Sequence, residues 1–333
     1  MNIGILGGTR FIGFHLVEAL LEKGARVSIF YRGRSIEPRR FSGPVERFFG
    51  DRDSPSSLAP FFQQHYDAVI DLSGFNSRHV GPILSDWRSS IGHYVFCSTS
   101  SVYQTPPPLF FDEDAPIDSE PGTYGGDKAL AEKMILEHSQ RHGCPVTIFR
   151  PQGVFGPFGA GQALYVFRRL LTGEPVLVRP ETVEKKISFL WVHDLVDCFI
   201  RAIGQPRAFG QVFNVAGSDI CTPKDFGLIA EKVTGAGRLE RIVLDARLAE
   251  KFPQLGLAWL PYDLVPRTDK IRDNLSVSFT AIEETLRRTW AWALTEPSHL
   301  LPSPQRWERQ AREGRFPPWW VRMLWRLRDR IRQ

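Results

Sequence analysis

The first thirteen residues constrain this chain more than any others. Asn2-Ile3-Gly4-Ile5-Leu6 is a short apolar run that breaks into Gly7-Gly8-Thr9-Arg10-Phe11-Ile12-Gly13. His15-Leu16-Val17-Glu18-Ala19-Leu20-Leu21 then repeats its apolar residues at helical spacing. A strand, a glycine turn and a helix in that order build a dinucleotide site. The turn and the helix N-terminus bring backbone N–H groups against a pyrophosphate. Glycine also serves turns for purely steric reasons, so the flanking strand and helix give this turn its meaning. The usual spacing puts a glycine at position 10, where this chain carries Arg10.

The same alternation continues. The pattern predicts strands over 3–6, 26–31, 45–49, 68–72, 94–97 and 145–150. Helices are predicted near 14–22, 57–65, 79–90 and 124–142. Later strands fall at 175–178 and 212–215, and later helices near 160–172, 193–204 and 222–234. The last opens with Thr222-Pro223-Lys224-Asp225, a capping pattern. Short apolar strands alternating with helices specify an α/β fold, a doubly wound parallel sheet covered on both faces. Residues 104–122 are rich in proline and acid and read as a loop, either a wall of a substrate site or a solvated connection. Residues 303–318 resemble a linker.

Composition excludes several classes. The 333 residues are 42% hydrophobic and 24% charged, as in a soluble globular protein. No apolar run approaches the roughly 20 residues that span a bilayer, and the opening strand leaves no basic leader. Cys97, Cys144, Cys198 and Cys221 are scattered through apolar segments, which suits small buried hydrophobes in a reducing cytoplasm. The expected location is therefore cytoplasmic, and no metal-ligand cluster is expected. The net charge is +5, but residues 303–333 carry nine arginines against three acids, so that segment holds +6 and the rest −1. A general nucleic-acid surface is not indicated. In the tail, Trp320, Met323, Leu324, Leu327 and Ile331 share one helical stripe, while Arg322, Arg326 and Arg330 share another. The tail is expected to dock on the body or a neighbouring subunit, with a membrane surface as the alternative.

A second constellation carries chemistry. The strand at 94–97 runs into Ser98-Thr99-Ser100-Ser101-Val102-Tyr103, and later comes Tyr124-Gly125-Gly126-Asp127-Lys128. A Tyr and a Lys four apart share a helix face. An ammonium near a phenol favours the phenolate, so the tyrosine can exchange a proton with a carbonyl. A neighbouring hydroxyl can hold the same oxygen. At the end of the second strand an acid normally accepts from the ribose 2′-hydroxyl of NAD. Here Tyr31, Arg32, Gly33 and Arg34 stand there instead. Arginine matches a phosphate with a rigid fork of donors. NADP is therefore favoured over NAD, with Arg10 approaching the same corner; solvated loop arginines are the plainer alternative.

With these motifs the chain resembles the extended short-chain dehydrogenases/reductases of the NAD-dependent epimerase/dehydratase family. The matching pieces cover about the first 220 residues. They are residues 7–13, Gly50-Asp51-Arg52-Asp53, residues 98–103, Tyr124 with Lys128, residues 150–157, Val192-His193-Asp194-Leu195 and residues 212–217. The resemblance implies a Rossmann domain, residues 1–150 plus about 190–218. A smaller, mainly C-terminal α+β substrate domain would take about 151–189 and 219–300. It makes Tyr124 the catalytic acid/base and Lys128 the residue that lowers its pKa and binds the nicotinamide ribose. The family's Ser/Thr falls on Thr99, with Ser98 and Ser100 beside it. Asp51 would hold the adenine amino group. Further cofactor contacts are implied at Gly7, Thr9, Phe11, Ile12, Gly13, Arg52, Leu72, Ser73, Gly74 and Pro151.

Two departures qualify the substrate. Members acting on nucleotide-linked sugars usually have an asparagine where Gly153 stands. They also tend to have an arginine where Ile187 stands, with only Lys185 and Lys186 nearby. The glycine-turn variant resembles an atypical branch that includes chloroplast stem-loop-binding proteins, some of which bind RNA and lack the catalytic set. This chain keeps Thr99, Tyr124 and Lys128. The expectation is NADP-dependent hydride transfer at a secondary alcohol or ketone of a sugar-like or other polyoxygenated small molecule, net reduction slightly favoured. Nucleotide-sugar epimerisation or dehydration with internal redox is the alternative. A non-catalytic NADP-sensing or RNA-binding scaffold is the alternative of another class. Helices near 79–90 and 124–142 often build a homodimer in the family.

Overall fold

The computed structural model describes residues 1–33, 40–159, 161–251, 256–296 and 300, apart from the side chains of 86–89 and 248. The elements run β1 (Asn2–Leu6), α1 (Phe11–Glu22), β2 (Arg26–Tyr31), β3 (Val45–Phe49), α2 (Pro55–Leu58), β4 (Ala68–Asp71), α3 (Ser77–Ser90), β5 (Tyr94–Cys97), α4 (Tyr124–His142) and β6 (Val146–Pro151). They continue β7 (Val154–Phe155), α5 (Gln162–Thr172), β8 (Val176–Val178), β9 (Ile187–Ser188), β10 (Leu190–Trp191), α6 (Val192–Ala202), β11 (Gln211–Val215), β12 (Ile220–Cys221), α7 (Pro223–Thr234), β13 (Arg241–Val243), α8 (Ala246–Lys251), α9 (Asp269–Leu275) and α10 (Ile282–Thr295).

Seven strands form one sheet in the order β11-β6-β5-β4-β1-β2-β3. Every neighbouring pair is parallel. The chain runs outward from β1 to β3, then returns to β4 and continues the other way. A crevice opens at such a reversal, beyond the carboxyl ends of β1 and β4.

Both faces of the sheet are buried, which explains the near-continuous apolar strands. Side chains alternate across the pleat. Ile3, Ile5, Ile29, Ile70, Val95 and Phe149 pack with Leu16, Val17 and Leu20 of α1 and Leu195 and Phe199 of α6. Leu6, Phe30, Val69, Tyr94, Phe96 and Ile148 face Val80 and Ile83 of α3 and Ala131 and Ile135 of α4. A separate apolar core joins α5, α7 and α10 around Phe167, Phe189, Trp191, Phe226, Trp259 and Leu286.

The helix predicted over 57–65 does not form. The segment holds one α-turn at Pro55–Leu58 and a 3₁₀ turn at Phe61–Gln63. Pro60 lies between them. It has no N–H to continue the ladder, and its ring crowds the carbonyl four residues back. Elsewhere capping follows the sequence: the Thr222 hydroxyl accepts from the Asp225 N–H at 3.2 Å, and Asp225 accepts from the Thr222 N–H at 3.0 Å.

The loop over 104–122 is tied down. The Gln104 N–H donates to the Pro116 carbonyl at 2.9 Å, and Asp118 N–H to the Val102 carbonyl at 2.8 Å. Beneath it lies a buried ion pair. Arg150 at the end of β6 donates Nη2 to Glu132 of α4 at 2.6 Å, and its Nη1 reaches the Tyr103 hydroxyl at 2.9 Å and the Glu113 carbonyl at 3.1 Å. Tyr103 donates onward to Asn214 Oδ1 at 2.6 Å, and Glu113 accepts from the Asn214 N–H at 2.7 Å. Both charged side chains are 3% exposed. Removing one partner leaves the other charge buried and unpaired, so Glu132→Ala should lower unfolding free energy by about 3–5 kcal/mol. Urea denaturation measures this, and a loss below about 1 kcal/mol would contradict it.

Candidate active site in the crevice

The glycine turn closes by backbone contact. The Gly7 N–H donates to the Phe30 carbonyl at 3.0 Å, binding the turn to β2. Gly7 sits at φ +99°, in the region that favours glycine. A Cβ on Gly13 would lie 2.3 Å from the Gly7 carbonyl oxygen. Arg10 has extended backbone, φ −134° and ψ 149°. Any residue adopts that conformation, so arginine at a customary glycine position costs no backbone strain. Its carbonyl accepts from the Gly13 N–H at 2.9 Å, and its side chain is exposed at the crevice.

The crevice has a volume of about 580 Å³. Gly7, Thr9, Arg10, Tyr31, Arg32, Asp51, Arg52 and Ser73 line it. Phe11, Ile12 and Gly13 form the first turn of α1. Leu72 and Gly74 flank Ser73, and Pro151 ends β6. Arg34 lies outside the described residues. Phe75, Asn76, Arg78 and His79 also line the crevice, and sequence reasoning did not single them out. The only local signal was Asn76, whose side chain accepts from the His79 N–H at 3.1 Å and starts α3.

Arg52 and Asp71 form the floor. Arg52 Nη1 and Nη2 meet the two Asp71 oxygens at 2.8 and 2.7 Å. The same nitrogens donate to Ser73 Oγ at 2.8 Å and the His79 carbonyl at 2.9 Å. Asp71 also accepts from the N–H groups of Ser73 and Gly74 and from the Tyr94 hydroxyl. Burial alone would push the Asp71 carboxyl up. The guanidinium outweighs it and holds the carboxylate below its usual range.

The reacting end lies past β5. Ser98 and Ser100 turn into the fold, and Ser100 donates to Gln152 Oε1 at 2.5 Å. The Thr99 hydroxyl accepts from the Ser101 N–H at 3.1 Å and donates to Ser101 Oγ at 3.2 Å. Two glycines seat Tyr124 there. A Cβ on Gly125 would fall 1.9 Å from the Ser101 carbonyl oxygen, and one on Gly126 equally close to that of Glu120. Only glycine lets the first turn of α4 press so near those backbones. The Thr123 hydroxyl caps that turn by accepting from the Gly126 N–H at 3.0 Å.

Lys128, one turn on, is buried and donates to the Cys97 carbonyl at 2.5 Å. Its ammonium lies 4.6 Å from the Phe96 ring centre and 5.5 Å from that of Phe75. Burial pushes its pKa down. Burial pushes the half-exposed Tyr124 phenol up, and the Thr99 hydrogen bond pulls it back. Gly153 takes φ +53°, where a Cβ would lie 3.1 Å from Phe189, and Ile187 is buried. Among the described residues no group of three His, Cys, Asp or Glu side chains could hold a metal. None of the described helices is long and apolar enough to cross a membrane. All four cysteines are buried, and none is in a disulfide.

The model of the NAD dependent epimerase/dehydratase family matches residues 3–216, the part of the chain that builds this crevice. The chain belongs to that family. A relative from Arabidopsis thaliana, the chloroplast stem-loop binding protein of 41 kDa b, is 28% identical over 235 residues, 66% of this chain. This chain spans 60% of that protein's length. A UDP-N-acetyl-alpha-D-glucosaminuronate decarboxylase of Bacillus cytotoxicus is 26% identical over 65% of this chain and 74% of its own. Among solved structures, a UDP-glucose 4-epimerase of Thermotoga maritima with UDP-glucose superposes with TM-score 0.75 at 19% identity, over 89% of this chain and all of that one. A UDP-glucose 4-epimerase of Bifidobacterium longum in complex with NAD+ and UDP gives 0.73 at 18% identity, over 90% of this chain and all of that one. These superpositions match the Rossmann-like sheet described above.

Thr99→Ala removes the hydroxyl that pulls the Tyr124 pKa down. The Tyr124 pKa should therefore rise further, moving its ionisation to higher pH. Tyrosinate absorbance, read as the difference from Tyr124→Phe, measures this; a downward shift would exclude the assigned contact.

Proposed function

We propose that this family member transfers hydride between a dinucleotide in the crevice and a secondary alcohol or ketone of a polyoxygenated small molecule, with Tyr124 exchanging the proton. The observation that carries the reading is a crevice lined by the glycine turn and by Phe75, whose ring centre lies 6.2 Å from that of Tyr124. The residues fit a dinucleotide: Gly13 leaves room where a Cβ would meet Gly7, and the exposed Arg32 stands at the end of β2. Residues 1–150 with about 190–218 would hold the dinucleotide, and about 151–189 with 219–300 the substrate.

A nicotinamide dinucleotide supplies or accepts the hydride. Gly7, Thr9 and the first turn of α1 would hold its phosphates, Asp51 its adenine and Lys128 its nicotinamide ribose. Tyr124 gives its phenolic proton to the carbonyl oxygen, or takes one from the alcohol. Thr99 orients that oxygen. The buried ammonium of Lys128 supports negative charge as the phenol gives up its proton. Cells hold NADP largely reduced, so the proposed NADP preference favours net reduction.

Arg32 and Arg10 favour a 2′-phosphate, so the proposed cofactor is NADP rather than NAD. Internal redox on a nucleotide-linked sugar is the second reading, favoured by the decarboxylase among the relatives. The side-by-side α3 and α4, with the half-exposed Met134 between them, are the proposed homodimer face.

Tyr124→Phe should abolish turnover in a screen of ring and open-chain carbonyl compounds followed by NADPH absorbance, while NADPH still binds. Retained activity would remove the mechanism. Arg32→Ala should weaken NADP binding about tenfold, ~1.4 kcal/mol, with little change for NAD; wild-type protein that binds NAD more tightly would refute the NADP assignment.

A further inference from the structure

The Arg52–Asp71 pair is an unusual floor for a crevice. Arg52 is 7% exposed and Asp71 is fully buried. Removing two charges from water costs more than their attraction commonly returns, and apolar residues of similar volume often stabilise a fold as well. Stability therefore does not account for the pair, whereas its hydrogen bonds are directional. The two guanidinium termini bond the Asp71 carboxylate, the Ser73 hydroxyl and the His79 carbonyl. Asp71 in turn takes the N–H groups of Ser73 and Gly74. Residues 72–79 are thus fixed between the ends of β3 and β4.

Two contacts lead outward from this turn. Ser73 abuts the glycine turn: a Cβ on Gly7 would lie 3.0 Å from the Ser73 Cβ. Phe75 lies at its far end, its N–H donating to His79 Nδ1 at 3.0 Å and its ring centre 6.2 Å from that of Tyr124. One rigid segment therefore borders the phosphate end of the crevice and the reacting end. A Cβ on Gly74 would meet Asp71 Oδ2 and Phe96 at 2.8 Å, so the segment has no slack on its inner side.

We propose that Arg52 and Asp71 are positioning residues for the dinucleotide: they set the spacing between the glycine turn and the 72–79 segment, so the cofactor binds in register with Tyr124. Arg52 then acts through its guanidinium on the turn rather than on the cofactor. This rests on the crevice being a dinucleotide site, as proposed above.

The test separates register from stability. Arg52→Met with Asp71→Leu replaces the pair by apolar groups, and urea denaturation reports whether the fold is retained. NADPH and NADH affinity are read by nicotinamide fluorescence on the full chain. With the fold retained, affinity for both should fall at least about tenfold, the scale seen when groups supporting a binding site are removed. Wild-type affinity in that double variant would overturn the proposal. Should the double variant not fold, Tyr94→Phe decides. It removes one bond to Asp71 from a buried residue that does not line the crevice. Weaker NADPH and NADH binding supports the proposal, and unchanged binding overturns it. Wild-type protein that binds neither dinucleotide would instead refute the site itself, and this inference with it.

Discussion

The structure depends on backbone approaching backbone more closely than any side chain permits. Gly13 lies on the Gly7 carbonyl, Gly125 on that of Ser101 and Gly126 on that of Glu120. The first contact seats α1 against the end of β1, and the other two seat α4 against the segment after β5. Both ends of the crevice are thus defined by glycine. A methyl group at any of the three would force a helix outward and carry Tyr124 or the phosphate cradle with it. Reacting groups tolerate little of this, since a misplacement of about 1 Å can cost ~100-fold in rate.

Two buried ion pairs hold what the glycines bring together. Arg52–Asp71 fastens the turn after β4, and Arg150–Glu132 fastens α4, the 104–122 loop and β11 to the end of β6. In both, the arginine divides its donors between its carboxylate partner and a hydroxyl and a carbonyl of neighbouring segments. Such pairs restrict loops that apolar packing would leave free to slide. The core itself needs no help, because both sheet faces are covered by aliphatic and aromatic side chains.

The sheet was legible because most of its strands are apolar, the edge strand β3 excepted, and most of the helices between them keep their period. The helix over 57–65 failed where Pro60 overrode an apolar pattern. The glycine turn and the Tyr124/Lys128 spacing were legible because local geometry defines them. Phe75 and His79 were not: they matter only because β4 lies beside both β1 and β5, which pairs residues distant in sequence. Arg52 was singled out by its motif, whereas its partner Asp71 is one no local pattern could name. Lys128 was singled out by its spacing and by the family resemblance, neither of which gives its hydrogen bond to the Cys97 carbonyl. The basic tail and Arg34 fall outside the described residues.

The strand order has a consequence for how the chain is made. β1 lies inside the sheet, between β2 and β4, although it is first in the sequence. A growing chain therefore leaves one flank of β1 open until β4 has emerged. An open strand edge invites pairing with other chains. The second apolar core draws on residues both before and after β11, the outermost strand beyond β6. It cannot assemble from any stretch that stops short of α7. The crevice thus takes shape around a strand made before its neighbour β4, and the second core closes only after α7 has followed.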